Sequence, residues 1–213
     1  MKAVMFTGDS ITDCGRVRPV GDRAGTLGDS YVGNIFVQMW AADPHADVKI
    51  MNTGTGGNTS RDLLARLDGE VLCHKSDYLF IMIGVNDCAA EFYDRVYAAN
   101  APTVEEYRDN MEKIIGKALA AGTKPVLISP YYLDLNKKDP MRAKCDRINA
   151  VLRELCGKYS LHYIDVQGAF DDYLEKSSVF FISPDRVHPK AIGRQIITRT
   201  VMNSEAWREV ISK

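Results

Sequence analysis

The chain has 213 residues, with 27 Lys+Arg against 28 Asp+Glu, a formal charge of −1, 46% hydrophobic and 26% charged residues. At this length a chain buries roughly 70% of its unfolded surface and needs no disulfide or metal to hold a core. The balanced charge offers no basic field for a phosphate backbone, so nucleic acid is not an expected partner. The longest apolar run, 78–85 (YLFIMIGV), falls far short of the about 20 residues that a membrane span needs.

Short apolar runs alternate with amphipathic helical patterns, the signature of βαβ units around a parallel sheet. The first strand is predicted at 3–7 (AVMFT) and runs into Gly8-Asp9-Ser10-Ile11-Thr12-Asp13. That turn places the Ser10 hydroxyl at a strand's carboxyl end, where a nucleophile belongs, although Asp9 or Ser10 can equally cap a following helix. A long loop over 13–29, rich in glycine and arginine, leads to a helix at 31–40 and a second strand at 48–52 (VKIMN). The turn after it, Asn52-Thr53-Gly54-Thr55-Gly56-Gly57-Asn58, precedes a helix at 60–73 that Thr59 can cap. A third strand at 78–83 (YLFIMI) enters Gly84-Val85-Asn86-Asp87 and a second long loop at 86–102.

A helix at 104–121 begins with a capping-box pattern, Thr103 followed by Glu106, and can end at Gly122. It is followed by a strand at 125–129 (PVLIS), a helix at 141–158, a strand at 161–165 (LHYID) and a helix at 191–200. In the 141–158 helix, Ile148, Val151, Leu152 and Leu155 define the buried face. The segment 204–213, with Trp207 and Ile211, can dock on this core or on a partner. All five strands are nearly continuous in apolar residues, as strands covered on both faces should be. No linker, repeat or compositional break divides the pattern, so 1–213 is expected to form a single domain. Loops at the carboxyl ends of parallel strands build the ligand crevice of such folds.

Three of those ends carry groups suited to acyl transfer. A glycine-rich turn can offer a backbone N–H, and an asparagine a side-chain amide, to the oxyanion of a tetrahedral intermediate. Gly57 and Asn86 suit those roles. Taken singly, a phosphate loop and an Asx-turn are the competing readings, but GTGGNTS lacks the lysine of a P-loop and does not fit G-x-G-x-x-G. Near the carboxyl terminus, Asp185-Arg186-Val187-His188-Pro189 supplies what a serine needs: an imidazole to take its proton and a carboxylate to fix the imidazole tautomer. Only the neutral imidazole can do so, and kcat/KM should therefore rise with pH as that histidine loses its proton. His45, His74 and His162 lie in a loop, at a helix end and in a strand, away from the set.

The four segments Gly8-Asp9-Ser10, Asn52-x-Gly54-x-x-Gly57, Gly84-x-Asn86-Asp87 and Asp185-x-x-His188-Pro189 resemble the four motif blocks of the SGNH, or GDSL, hydrolases, in order and across almost the whole chain. The resemblance implies a three-layer α/β/α sandwich with a five-stranded parallel sheet, flavodoxin-like in layout. It implies Ser10 as nucleophile, His188 as base and Asp185 as its orienting partner. The oxyanion donors it implies are Gly57, Asn86 and the Ser10 amide; Gly54 and Gly56 compete with Gly57, and the family spacing favours Gly57. DSITDCGR (9–16), IGVND (83–87), DPMRAKCD (139–146) and SPDRVHP (183–189) are similar to the intracellular bacterial branch that includes acetylxylan esterases. Members of that branch remove acetyl groups from sugar hydroxyls, and some assemble into higher oligomers.

The expected protein is thus a serine esterase of short-chain carboxylic esters, acting on a small acetylated saccharide, as a monomer or a homo-oligomer. No cofactor is expected, and no metal, because no His/Cys/Asp/Glu cluster has ligand spacing. Tyr31, Tyr131 and Tyr132 are candidates to stack on a pyranose ring or to pack. The amino terminus, MKAVMFTGDS, leaves no room for a secretory signal. The five cysteines lack CxxC pairing and read as free thiols. Both observations suggest the cytoplasm. A short-chain lipase or thioesterase with the same groups, a non-catalytic phosphate- or nucleotide-binding module and a self-associating scaffold are the rivals.

Overall fold

The computed structural model describes residues 1–93 and 95–212, apart from the side chains of 93 and 95–97. Its five strands are β1 (Lys2–Gly8), β2 (Val48–Asn52), β3 (Tyr78–Met82), β4 (Lys124–Ile128) and β5 (His162–Ile164), all parallel in the order β2-β1-β3-β4-β5. Strand side chains alternate between the two faces, and each face has its own core. On one, Val4 and Phe6, Ile50, Phe80 and Met82, Val126 and Ile128, and Ile164 are buried. On the other lie Met5, Met51, Leu79 and Ile81, and Leu127. This double covering is why the strands read as unbroken apolar runs.

Helices α2 (Tyr31–Ala42), α8 (Val166–Leu174), α9 (Ala191–Met202) and α10 (Glu205–Ile211) contribute to the first core. The second is covered by α3 (Ser60–Arg66), α6 (Val104–Ala120) and α7 (Pro140–Tyr159). Because α2 leads from β1 outward to β2 and α3 leads back past β1 to β3, the chain reverses direction between β1 and β3. In an open parallel sheet that switch point is where a crevice forms. Trp207 and Val210 of α10 insert into the chain's own core, each 1% exposed.

Three expectations change. The segment after β3 is largely helical, as α4 (Val85–Tyr93) and α5 (Arg95–Asn100), rather than a loop over 86–102. Val85, Cys88 and Ala89 recur at helical spacing on a buried face, and Glu91 pairs with the buried Lys144 ammonium at 2.9 Å. The complete capping box belongs to α3, where the Thr59 side chain accepts from Asp62 N–H and the Asp62 carboxylate from Thr59 N–H. At α6, Thr103 accepts from Glu106 N–H, while the Glu106 carboxylate is drawn to Arg61 at 2.7 Å. The helix predicted over 60–73 also changes form after Arg66, into a π turn at Leu67–Val71 and a 3-10 turn at Leu72–His74.

Candidate active site

β1 ends at Gly8 because nothing larger fits there: a Cβ would lie 2.0 Å from the Met82 carbonyl of β3. The next residue, Asp9, caps the short helix α1 (Ser10–Asp13), its carboxylate accepting from Ile11 N–H at 3.0 Å. Capping by Asp9 leaves the Ser10 hydroxyl free for another partner. Ser10 Oγ lies 3.0 Å from His188 Nε2, and His188 Nδ1 lies 2.7 Å from Asp185 Oδ2. Residues 178 positions apart in sequence thus meet at the carboxyl edge of the sheet.

The loop bearing Asp185 and His188 is held from several sides. Asp185 Oδ1 accepts from the amides of Val187 at 3.0 Å and His188 at 2.7 Å, and from the Ser183 hydroxyl at 3.0 Å. Partial burial opposes ionisation of this carboxyl, but the His188 ring and these donors prevail and hold it at about 2. Asp185 is therefore an anion at any pH where an ester would be assayed, and its charge fixes the proton of the imidazole on Nδ1.

The three glycines of the turn differ in what their amides bond. Gly54 N–H donates to Asn52 Oδ1 at 2.8 Å, and Gly56 N–H to Asp13 Oδ2 at 2.9 Å. Gly57 has φ +79°, the left-handed region that favours glycine. Among the described residues, its amide and that of Ser10 have no acceptor. Asn86 Nδ2 donates one hydrogen to Asn58 O at 2.9 Å, leaving its second hydrogen unassigned to any described acceptor. Asp13 also pairs with Arg18 at 2.7 Å, so the edge beside the glycine turn is polar and charged.

The tyrosines take other places than a sugar platform requires. Tyr31 and Tyr131 are 0% exposed, so neither ring has a free face for a ligand. Tyr31 contacts Thr12 Oγ1 through its hydroxyl at 3.1 Å. The Tyr131 hydroxyl donates to Val187 O at 3.0 Å, and its ring packs on Phe170. Tyr132 is half-buried, packed against both cores, with Gln167 Oε1 accepting from its amide at 2.8 Å. Tyr131 thus supports the Asp185–His188 loop, and Tyr31 braces Thr12 of the short helix that bears Ser10.

Two buried carboxyls lie beside these groups, Asp9, which the sequence offers only as a helix cap, and Asp87, which it gives no role. Burial pushes Asp9 up from 3.8 to about 7; the Ile11 amide pulls down and the charge of Asp87 pushes up. Burial likewise raises Asp87 to about 6, against hydrogen bonds from the Ser60 hydroxyl and amide. An acid whose folded value is raised binds more protons folded than unfolded, so its contribution to stability falls as pH rises between the two values. For Asp9 that window runs from 3.8 to about 7. Asp9→Asn keeps the capping oxygen and removes the titration. Its Tm relative to the wild type is expected to increase from about pH 4 to about pH 8 in thermal melts; a constant difference would exclude Asp9 as the titrating group. Among the described residues, no group of three or more His, Cys, Asp or Glu side chains could hold a metal ion.

A parallel five-stranded sheet with its polar groups gathered at the β1/β3 switch point is the layout of the SGNH hydrolase fold. The GDSL-like lipase/acylhydrolase family matches residues 6–196, and the chain belongs to this family and is a carboxylic ester hydrolase. It is 33% identical over a 219-residue alignment to an acetylxylan esterase of Geobacillus stearothermophilus, covering 99% of this chain and 96% of that one. The crystal structure of that organism's acetylxylan esterase Axe2 superposes with a TM-score of 0.92 at 31% identity, over 100% of this chain and 95% of the other. LAE5, an alpha/beta hydrolase enzyme from the metagenome of Lake Arreo, Spain, gives 0.91 at 30% identity, over 100% and 97%. Catalytic mutants of Axe2 carry alanine in place of a serine, a histidine, and an aspartate three residues before that histidine. No helix among the described residues is long and apolar enough to cross a membrane.

Proposed function

We propose that the protein removes acetyl groups from small acetylated saccharides through an acyl-serine on Ser10. The observation that carries this reading is the hydrogen-bonded run from Ser10 Oγ through the His188 ring to the Asp185 carboxylate. The three catalytic positions substituted in Axe2 have the same residue types, and its aspartate and histidine have the same spacing as Asp185 and His188.

In this mechanism His188 Nε2 takes the Ser10 proton as Oγ attacks the ester carbonyl carbon. The carbonyl oxygen becomes an oxyanion that accepts from the amides of Ser10 and Gly57 and from Asn86 Nδ2. The tetrahedral intermediate then collapses, the alcohol departs with the proton from Nε2, and the acyl group stays on Ser10. Water, deprotonated by His188, attacks the acyl-serine; the second intermediate releases the acid and returns the proton to Oγ. Asp185 stays ionised throughout and stabilises the imidazolium.

Two features support a small, polar ester. The His188 side chain is 52% exposed, and the ion pairs Arg18–Asp13 and Arg186–Asp134 flank the site, whereas a long acyl chain calls for an apolar groove. The glycine turn argues against a phosphate-binding module, since Gly54 and Gly56 spend their amides on Asn52 and Asp13. The free cysteines accord with a cytoplasmic location, and one sheet with both its cores accords with a single domain over 1–213. The test is a substrate series: p-nitrophenyl acetate, butyrate and octanoate, then acetylated xylo-oligosaccharides. The expected result is a kcat/KM at least about tenfold lower for octanoate than for acetate, with acetate released from the saccharides. A preference for octanoate would replace this reading with a lipase.

A further inference from the structure

Arg66 closes α3, where a basic residue ordinarily does no more than complement the helix dipole. Here its side chain turns inward and is only 10% exposed. Nε donates to Asn58 Oδ1 at 2.6 Å and Nη1 to Thr53 O at 2.8 Å. Nη2 reaches Gly8 O at 3.1 Å and Thr7 Oγ1 at 3.3 Å. One planar guanidinium therefore joins the end of β1, the segment just past β2 and the far side of the glycine turn. The more exposed Glu70 carboxylate, 3.7 Å from Nη1, provides a counter-charge on the solvent side.

Each connection leads to an oxyanion donor. Gly8 lies two residues before Ser10 on the rigid turn out of β1. Asn58 directly follows Gly57, whose left-handed conformation exposes its amide. The Asn58 carbonyl in turn accepts from Asn86 Nδ2 at 2.9 Å and so orients that amide. The donors come from three different strand ends; beside Arg66, Thr55 N–H donates to Gly8 O at 3.0 Å and the Ser60 amide and hydroxyl donate to the Asp87 carboxylate, so Arg66 completes a frame that these bonds begin. We propose that Arg66 is the positioning residue of the oxyanion hole, holding the Ser10 amide, the Gly57 amide and Asn86 Nδ2 in one arrangement by bonding the segments that bear them. This rests on the acyl-serine reading above. An arginine suits the task because its five donors are fixed in a plane; a lysine at the same place offers a single point charge. The group touches neither substrate nor reacting atoms, and it acts through Asn58 and the two carbonyls.

The oxyanion exists only in the transition state and the intermediates, so misplacing its donors lowers kcat and leaves KM nearly unchanged. The experiment compares wild type, Arg66→Gln, Asn86→Ala and the double variant with p-nitrophenyl acetate. Rates are expressed per serine titrated with diethyl p-nitrophenyl phosphate, which removes any contribution from misfolded protein. Arg66→Gln is expected to lower kcat by about 10- to 100-fold, with KM within about threefold. On the Asn86→Ala background, the same substitution should cost measurably less, because one of the donors it positions is already absent. Asn58→Ala, which cuts the link at its acceptor and leaves the charge of Arg66 in place, should lower kcat by about tenfold and serves where Arg66→Gln does not fold. An unchanged kcat per titrated serine in the folded variants overturns the positioning role, as does a loss of equal size on both backgrounds. A wild type inert towards every ester overturns instead the esterase reading on which the role depends.

Discussion

Ser10→Ala is expected to lower kcat for p-nitrophenyl acetate by at least about a thousandfold while leaving the fold intact. Among the described residues the hydroxyl has one partner, His188 Nε2 at 3.0 Å, and Asp9 rather than Ser10 caps α1. The alanine therefore removes the proposed nucleophile without uncapping the helix or opening the core. A residual rate above water is expected from the oxyanion donors alone. His188→Ala should cost about as much, and the double variant little more, because the two groups act as one unit. Steady-state kinetics with matched melting curves separate this from unfolding; a loss of less than about tenfold would mean that another group attacks the ester.

The largest expected effect on stability belongs to Trp207→Ala. Trp207 is 1% exposed on α10, with its ring 6.4 Å from that of Phe6 in β1 and 6.2 Å from that of Phe80 in β3. Truncating a buried tryptophan removes its transfer free energy and leaves a cavity among large rings that cannot close around it, a cost of about 3–5 kcal/mol. For a domain of this size that lowers Tm by roughly 6–20 °C. α10 is also tied to the strands by Lys2, whose ammonium donates to Glu209 O at 2.8 Å, and by Lys124 and His162 on the Glu209 carboxylate. The helix should consequently remain attached, and kcat at low temperature should stay near that of the wild type. A fall in Tm of less than about 2 °C would show that α10 does not complete this core.

The strands were legible because both faces of the sheet are covered, so Val, Ile, Leu, Met and Phe run together with little interruption. Their ends moved by a residue or so, as at β4, which begins at Lys124. α4 was not legible: Val85, Cys88 and Ala89 have helical spacing but lie in a segment whose polar letters read as a site loop. α8 was missed for a similar reason, with Gly168 in a short helix that Asp165 caps. Ser10, Asp185 and His188 could be grouped from sequence because each stands at a turn, and their contact in space follows from the sheet order. Telling the amides of Gly54 and Gly56 from that of Gly57 needed the acceptors Asn52 Oδ1 and Asp13 Oδ2, the second of them from α1. Tyr31 and Tyr131 were legible as aromatic residues near the sheet edge but not as buried ones. Nothing near Arg66 in the sequence signals that its guanidinium turns inward to the ends of β1 and β2.

The most direct test of the central claim, that Ser10 attacks the ester and carries the acyl group, is the covalent state of Ser10 itself. Treating the wild type with diethyl p-nitrophenyl phosphate, a serine-directed reagent whose adduct does not turn over readily, and mapping the product by peptide mass spectrometry reads that state. One diethylphosphoryl group on Ser10, with activity lost in proportion and Ser10→Ala left unlabelled, is the predicted result. An adduct on another residue, or an enzyme fully active with Ser10 unmodified after labelling, would contradict it.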